Sequence, residues 1–147
     1  MKIFYLVIKV INALKEFPQF NSALVGEGKI MLRKYYNIGI AVDTKDGLLV
    51  PVIKEADKLN ITEVANEIIM LAEKAKNKKL LEKNLSGGTF SISSLGPMGG
   101  VGFTPIINPP EVAILGVGKS FDRLVKIKGL SLIHISEPTR RYAISYA

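Results

Sequence analysis

The chain has 147 residues, 48% of them hydrophobic, and no cysteine. This length fits one domain, the composition argues against disorder, and a disulfide framework, thiolate metal sites and cysteine nucleophiles are excluded. The net charge of +7 permits a polyanionic partner, either nucleic acid or a phosphate-bearing cofactor. The densest basic stretch, Lys74 to Lys83, has no aromatic residue for base stacking, so it is interpreted as a solvated helix face and nucleic acid is not predicted as a partner.

The N-terminal part is predicted to form one helix and three strands. Apolar residues at helical spacing predict an amphipathic helix over residues 2–16, which Pro18 ends. Lys9 interrupts the first apolar run too early for a signal peptide or a membrane span, so no membrane partner is predicted. Residues 19–28 show little regular signal. Strands are predicted at 29–36, 38–42 and 48–53, the last two paired across the turn Lys45-Asp46-Gly47.

The C-terminal part is predicted to add a helix and two strands. Asn60 and Glu63 match a capping box at the start of an apolar stripe that runs to Ala75. Strands are predicted at 89–93 and 112–117, separated by a glycine-rich loop at 96–102. The whole pattern predicts an α/β (α+β) fold, a mixed sheet with flanking helices.

Residue chemistry alone indicates no reaction. His134 is the single histidine, so no metal site is predicted, and the scattered carboxylates form no evident acid–base pair. A serine–histidine pair is possible in principle, but no spacing identifies one.

Five runs nevertheless resemble, in order and spacing, the catalytic domain of the dihydrolipoamide acyltransferases of 2-oxo acid dehydrogenase complexes. They are FPQFN (17–21), YNIGIAVDT (36–44), DGLLVPVI (46–53), GGTFSISSLG (87–96) and FTPIINPPEVAILG (103–116). The resemblance covers residues 2–132, which are predicted to be a partial acyltransferase catalytic domain.

This resemblance implies a fold like that of chloramphenicol acetyltransferase. It also implies homotrimers, with active sites between subunits, that build the larger core of the complex. The implied substrates are coenzyme A and a lipoyl group supplied by a domain not present in this chain. The implied partners are the 2-oxo acid dehydrogenase and dihydrolipoamide dehydrogenase components, in the bacterial cytoplasm or the mitochondrial matrix.

The resemblance also assigns site residues. The family's serine in the GGTFSIS-like run, which donates a hydrogen bond to the tetrahedral oxyanion, corresponds to Ser93. Phe103 and Asn108 correspond to positions near the substrate channel, although core packing accounts for both equally well. Without the resemblance, Ser93 would be read as an ordinary polar strand residue.

The chain departs from the family after Leu132. The family carries its catalytic histidine and aspartate in an H-x-x-x-D-G motif, whereas Pro138 stands four residues after His134 and no Asp-Gly follows. His134 is therefore not assigned as the base, and the catalytic histidine and aspartate are predicted to be absent from this chain. Residues 133–147 are predicted to be a non-family tail, artefactual or disordered.

The sequence thus predicts transfer of an acyl group between dihydrolipoamide and coenzyme A by the parent protein. The runs around Ser94 and Glu111 favour acetyl, while succinyl and branched-chain groups remain open. This chain by itself is predicted to be inactive. The alternative is a non-catalytic trimeric assembly subunit of the same fold.

Overall fold

A four-stranded mixed sheet with two long helices organises the computed structural model. The structure describes residues 3–26, 28–95 and 102–118 in full, and the backbone alone of residues 121–127 and 130–136. Most of the predicted glycine-rich loop at 96–102 and the tail beyond Ser136 lie outside the described residues. Within the described part, no helix combines the length and the apolar character needed to cross a bilayer.

The two long helices follow from the amphipathic runs. The first, α1 (Ile3–Glu16), buries one side, and a 3-10 turn that begins at Pro18 follows it. The second, α2 (Ile61–Lys76), begins at the predicted capping box. Asn60 Oδ1 accepts from the Glu63 amide at 3.0 Å, and the Glu63 carboxylate accepts from the Asn60 amide at 2.7 Å. These bonds satisfy amides that a helix start leaves without a partner.

The described residues contain ten strands and a third, one-turn helix, α3 (Glu82–Leu85). The strands are β1 (Ser22–Val25), β2 (Lys29–Leu32), β3 (Ile38–Ile40), β4 (Val42–Thr44), β5 (Gly47–Leu49), β6 (Val52–Ile53), β7 (Phe90–Ser94), β8 (Ile114–Val117), β9 (Phe121–Ile127) and β10 (Leu130–Ser136). The central sheet has the order β6-β3-β7-β8, and β6 alone runs antiparallel to its neighbour. The other strands form three antiparallel hairpins, β1-β2, β4-β5 and β9-β10.

One face of the central sheet packs against the helices. Because side chains alternate across a strand, every second residue of β3 and β7 points to this face. Its apolar residues join those of both helices in the main hydrophobic core and include Ile38, Ile40, Phe90 and Ile92. Ile38 and Ile92 are fully buried, and burial of a side chain of this size stabilises the fold by about 1.5–3 kcal/mol.

The opposite face of the sheet carries glycines and serines at its centre, with the apolar Val52 and Ile114 beside them. We call it the loop face and define it by Gly39, Ser91, Ser93 and Gly116. Parallel pairing aligns Gly39 with Ser91 and Ser93 with Gly116, so each serine lies beside a residue without a side chain. The segment from 102 to 111 and the turn before β6 approach this face.

Most of the predicted elements are confirmed, with boundaries shifted by a few residues. The strand predicted at 29–36 is wrong beyond Leu32, and the supposedly irregular residues before it contain β1. The physical reason is Asn21, a buried amide that donates to the carbonyls of Arg33 at 2.9 Å and Tyr35 at 3.0 Å. Those bonds replace ladder hydrogen bonds and bend the chain after β2.

The predicted hairpin over 38–53 is divided into two parts. β4 pairs with β5 around the turn, while β3 pairs with β6 in the central sheet. Farther along the chain, β9 occupies residues 121–127 and pairs with β10. The basic stretch is confirmed as a solvated surface, because Lys76, Lys78 and Lys79 are all exposed.

Close packing at Gly39 gives a test of the sheet. A Cβ at Gly39 would lie 2.7 Å from Ser91 Oγ and 2.9 Å from Val50 Cγ1. Gly39→Ala is therefore expected to lower the free energy of unfolding by about 1–3 kcal/mol through overpacking. Gly26→Ala is the matched control, because its Cβ would meet nothing within 4 Å. Urea denaturation measures both variants, and equal stabilities would contradict the packing described.

Candidate functional site

Ser93 lies near the carboxyl end of β7, on the loop face. It is half-buried and pairs with Gly116 of the neighbouring parallel strand. The preceding residue, Ile92, is fully buried in the core on the other face, and this anchors the alternation that directs Ser93 to the loop face. The Ile92 carbonyl also accepts a hydrogen bond from the Ala41 amide at 2.9 Å. Ser93 therefore sits on a strand held on both sides.

Phe103 reaches the same part of the loop face. A Cβ at Gly116 would lie 3.4 Å from Phe103 Cζ and 3.1 Å from Pro105 Cγ. The missing side chain at Gly116 thus lets both rings rest on β8. Since Gly116 is the partner of Ser93, Phe103 packs on the strand next to the one that carries Ser93, on the same face.

Asn108 lies elsewhere. It lines a cleft of about 240 Å³ near the beginning of β7. The other residues around this cleft are Val50, Val52, Leu85, Ser86, Gly87, Gly88, Pro109, Pro110 and Glu111. Gly88 precedes Ser93 by five residues, which corresponds to about 16 Å along a strand. The structure therefore separates Asn108 from Ser93, and the two do not form one small pocket.

The beginning of β7 is held by side chains from the segment before β3. Asn37 Nδ2 donates to the Gly87 carbonyl at 2.7 Å, and Thr89 Oγ1 accepts from the Asn37 amide at 3.2 Å. Arg33 Nη1 donates to the Gly88 carbonyl at 2.8 Å. These contacts define where the strand that leads to Ser93 begins.

Glu111 is a buried carboxyl beside this point. Its side chain is 9% exposed, and a Cβ at Gly88 would lie 2.5 Å from Glu111 Oε1. The carboxyl therefore packs directly on the Gly88 backbone. Burial raises the pKa of Glu111, while the nearby Ser91 hydroxyl and then the Arg33 guanidinium oppose the rise.

Three polar atoms in this region have no hydrogen-bond partner within the described residues. They are Arg33 Nε, Ser91 Oγ and Glu111 Oε2. Ser91 is close enough to Glu111 to favour the ionised carboxyl, yet its hydroxyl makes no hydrogen bond of acceptable geometry. Sequence reasoning missed this cluster. An arginine after an apolar strand and a glutamate directly before another were the available signals.

His134 lies on β10, where its backbone pairs with Arg123. Its side chain is outside the described residues, as are residues 137–147 of the predicted non-family tail. The predicted absence of the catalytic histidine and aspartate from this chain therefore stays a prediction.

The chain is similar to a known protein family and to named members of it. Residues 1–136 match the family described as 2-oxoacid dehydrogenases acyltransferase (catalytic domain). The dihydrolipoyllysine-residue acetyltransferase component of the pyruvate dehydrogenase complex from Cupriavidus necator is 51% identical over 121 residues, which are 82% of this chain and 22% of that protein. The same component from Pseudomonas aeruginosa is 57% identical over 110 residues, which are 74% of this chain and 20% of that protein. The chain spans about a fifth of these curated relatives.

Solved structures give the same result for the fold. A dihydrolipoamide acetyltransferase from Azotobacter vinelandii, studied for the role of a serine, a histidine and an asparagine in its catalytic mechanism, matches with a TM-score of 0.83 and 46% identity, over 90% of this chain and 54% of that one. A chloramphenicol acetyltransferase matches with a TM-score of 0.52 at 14% identity, over 88% of this chain and 63% of that one, which confirms the predicted fold class. The chain therefore belongs to the family of 2-oxoacid dehydrogenase acyltransferase catalytic domains and has the chloramphenicol acetyltransferase-like fold.

Proposed function

We propose that the protein to which this chain belongs transfers an acetyl group from dihydrolipoamide to coenzyme A in the core of a pyruvate dehydrogenase complex. The observation that carries this proposal is the position of Ser93, which lies on the loop face beside Gly116, the glycine against which Phe103 packs. Family membership supplies the reaction class, and the identities of 51% and 57% to named acetyltransferases favour acetyl over succinyl and branched-chain groups.

The chemistry asks for a hydrogen-bond donor at the position of Ser93. The thiol sulfur of coenzyme A attacks the thioester carbonyl carbon of acetyl-dihydrolipoamide, while a base removes the thiol proton. The carbonyl oxygen becomes negative, and the Ser93 hydroxyl donates a hydrogen bond to it. When the carbon–sulfur bond to dihydrolipoamide breaks, the thiolate that leaves takes up the proton.

This chain is not expected to supply the base that removes the thiol proton. His134 does not match the family motif, because Pro138 stands where the family has aspartate. We propose that the base comes from the C-terminal part of the catalytic domain of a neighbouring subunit. The chain alone is accordingly expected to give no turnover above background.

The role of Ser93 is tested in this chain after residue 132 is joined to the remaining C-terminal part of the Azotobacter vinelandii catalytic domain. Ser93→Ala in this completed chain is expected to lower kcat by about 10²–10³, because one oxyanion donor is lost. KM should change little, since the bond matters mainly in the transition state. Formation of acetyl-dihydrolipoamide from acetyl-coenzyme A measures both constants.

Ser94→Ala is the matched control, since the next side chain along β7 points to the other face. It should retain nearly full activity. An unchanged kcat for Ser93→Ala would contradict the oxyanion role. A completed chain that assembles without turnover would favour the non-catalytic assembly subunit.

The β1-β2 hairpin supports the proposal of assembly. Its large apolar side chains are mostly exposed, with Leu24 and Ile30 each 63% accessible. These two residues face each other in the hairpin register. An isolated two-stranded hairpin is marginally stable in water, and exposed apolar patches mark interaction sites. A solved relative with the same TM-score of 0.83 is the cubic core of the pyruvate dehydrogenase multienzyme complex. We propose that a second copy of the chain covers the hairpin in a homotrimer.

Assembly is tested with the double variant Leu24→Lys and Ile30→Lys in the completed chain. Two charges on the hairpin are expected to shift the trimer to monomer, because desolvating unpaired ammonium groups opposes association. Size-exclusion chromatography with light scattering gives the mass. Ile69→Lys on α2, where the side chain is 57% exposed, is the control and should leave the trimer intact. A trimer in the double variant would exclude the hairpin from the interface.

A further inference from the structure

We infer that Glu111 is a positioning residue for Ser93. Its carboxyl packs on Gly88 at the beginning of β7, and the hydroxyl of Ser91, two residues before Ser93 on the same face, lies beside it. Its backbone belongs to the segment that carries Phe103. The inference rests on the proposed role of Ser93 and adds the side chain that aligns its strand.

The alignment follows from the register of β7 and β8. The partners Ser91 and Ile114 are separated by 23 residues in the chain, and so are Gly88 and Glu111. The contact between Glu111 and Gly88 therefore joins two residues with the same sequence offset as the paired strands, just before both strands begin. A slip of one residue would move every side chain of β7 to the other face, and Ser93 with them. Because the Glu111 side chain packs against Gly88, it opposes a shift of β7 relative to β8.

Glu111 also fixes the segment that precedes β8. Its amide donates to the Asn108 carbonyl at 3.0 Å and closes a turn at the edge of the cleft. Beyond Glu111 the chain enters β8, where Gly116 receives the ring of Phe103. The same residue thus holds β7 through its side chain and the Phe103 segment through its backbone.

The polar side chains around position 111 explain why a glutamate stands there. Arg33 donates to the Gly88 carbonyl, and its field reaches Glu111 from the end of β2. A carboxyl or an amide fits this polar surrounding, because both offer an oxygen to Arg33 and Ser91. Alanine leaves a gap against Gly88 and removes the carboxyl that lies near Ser91 and Arg33. We therefore expect glutamine to preserve the position and alanine to lose it.

Native-state hydrogen exchange on the 147-residue chain tests the inference. In Glu111→Ala, the β7–β8 amides and the Leu95 amide, which donates to Val117, should exchange about 10- to 100-fold faster. Amides of α1 and α2 should keep their rates. Glu111→Gln should resemble the unchanged chain, and Glu73→Ala, at an exposed glutamate of α2, is the control.

The inference would be overturned by equal β7 protection in Glu111→Ala and the unchanged chain, by the same loss of protection in Glu111→Gln, or by a loss that extends uniformly over both helices. Unprotected β7 amides in the unchanged chain would overturn it too, because no strand would then be held. Exchange reports backbone order without turnover. An inactive completed chain would therefore contradict the proposed function and leave the exchange result standing.

The pH dependence of stability gives a second readout. The pKa of Glu111 is raised above its ordinary value of 4.5. The favourable contribution of the Glu111 carboxyl to the stability of the fold is therefore fully present below about pH 4.5. It is lost as the pH rises through the folded-state pKa, because folding favours the neutral carboxyl. The charge of Arg33 favours the ionised carboxyl and reduces the loss, while Lys54 lies beside Gly87 and donates a hydrogen bond to the Ser86 carbonyl.

Glu111→Gln stays neutral at every pH and should remove this decline. Urea denaturation of both proteins from pH 4 to pH 8 measures the difference in stability between them. The free energy of unfolding of the variant is expected to increase relative to that of the unchanged chain as the pH rises. A difference that does not vary with pH would show that the carboxyl is not buried in solution and would overturn the assigned position.

Discussion

Contact between polar or ring side chains and bare glycine backbone is the constraint on which the loop face depends. A Cβ at Gly39 would meet the Ser91 hydroxyl, and one at Gly88 would meet the Glu111 carboxyl. At Gly116 it would lie within van der Waals distance of two rings. Glycine leaves room for these approaches, although it orders at a greater entropic cost than alanine. The sheet thereby brings loop residues within reach of Ser93.

The face of the sheet that is covered by the helices holds the strands in place. Ile38, Ile40 and Ile92 are buried among side chains of both helices, so the strands that carry the serines are fixed from behind. Burial of the Ile92 side chain has a favourable transfer free energy of about 1.5–3 kcal/mol. The loop face contributes less, because Glu111 and Ser91 keep polar atoms without a partner in the described part of the chain. Stability is thus concentrated on one face and candidate chemistry on the other.

The arrangement fits a site divided between chains. Ser93 is half-buried near the end of its strand, and Phe103, which packs against Gly116 of β8, borders the same region. The exposed apolar hairpin offers a surface for a second copy, which agrees with relatives that form a multienzyme core. Under the proposed function, one subunit presents the oxyanion donor and its neighbour presents the base. Assembly and catalysis then depend on each other.

Local patterns in the sequence determined the two long helices, the capping box at Asn60 and the family, because each depends on residues close together in the chain. Ser93 was also predicted this way, from the run in which it stands. Tertiary structure alone decided the end of β2, since Asn21 binds carbonyls 12 and 14 residues away. It also decided that Asn108 lies apart from Ser93, and that Glu111 is buried against Gly88. Such contacts join segments that are distant in the chain, so local sequence periodicity cannot predict them.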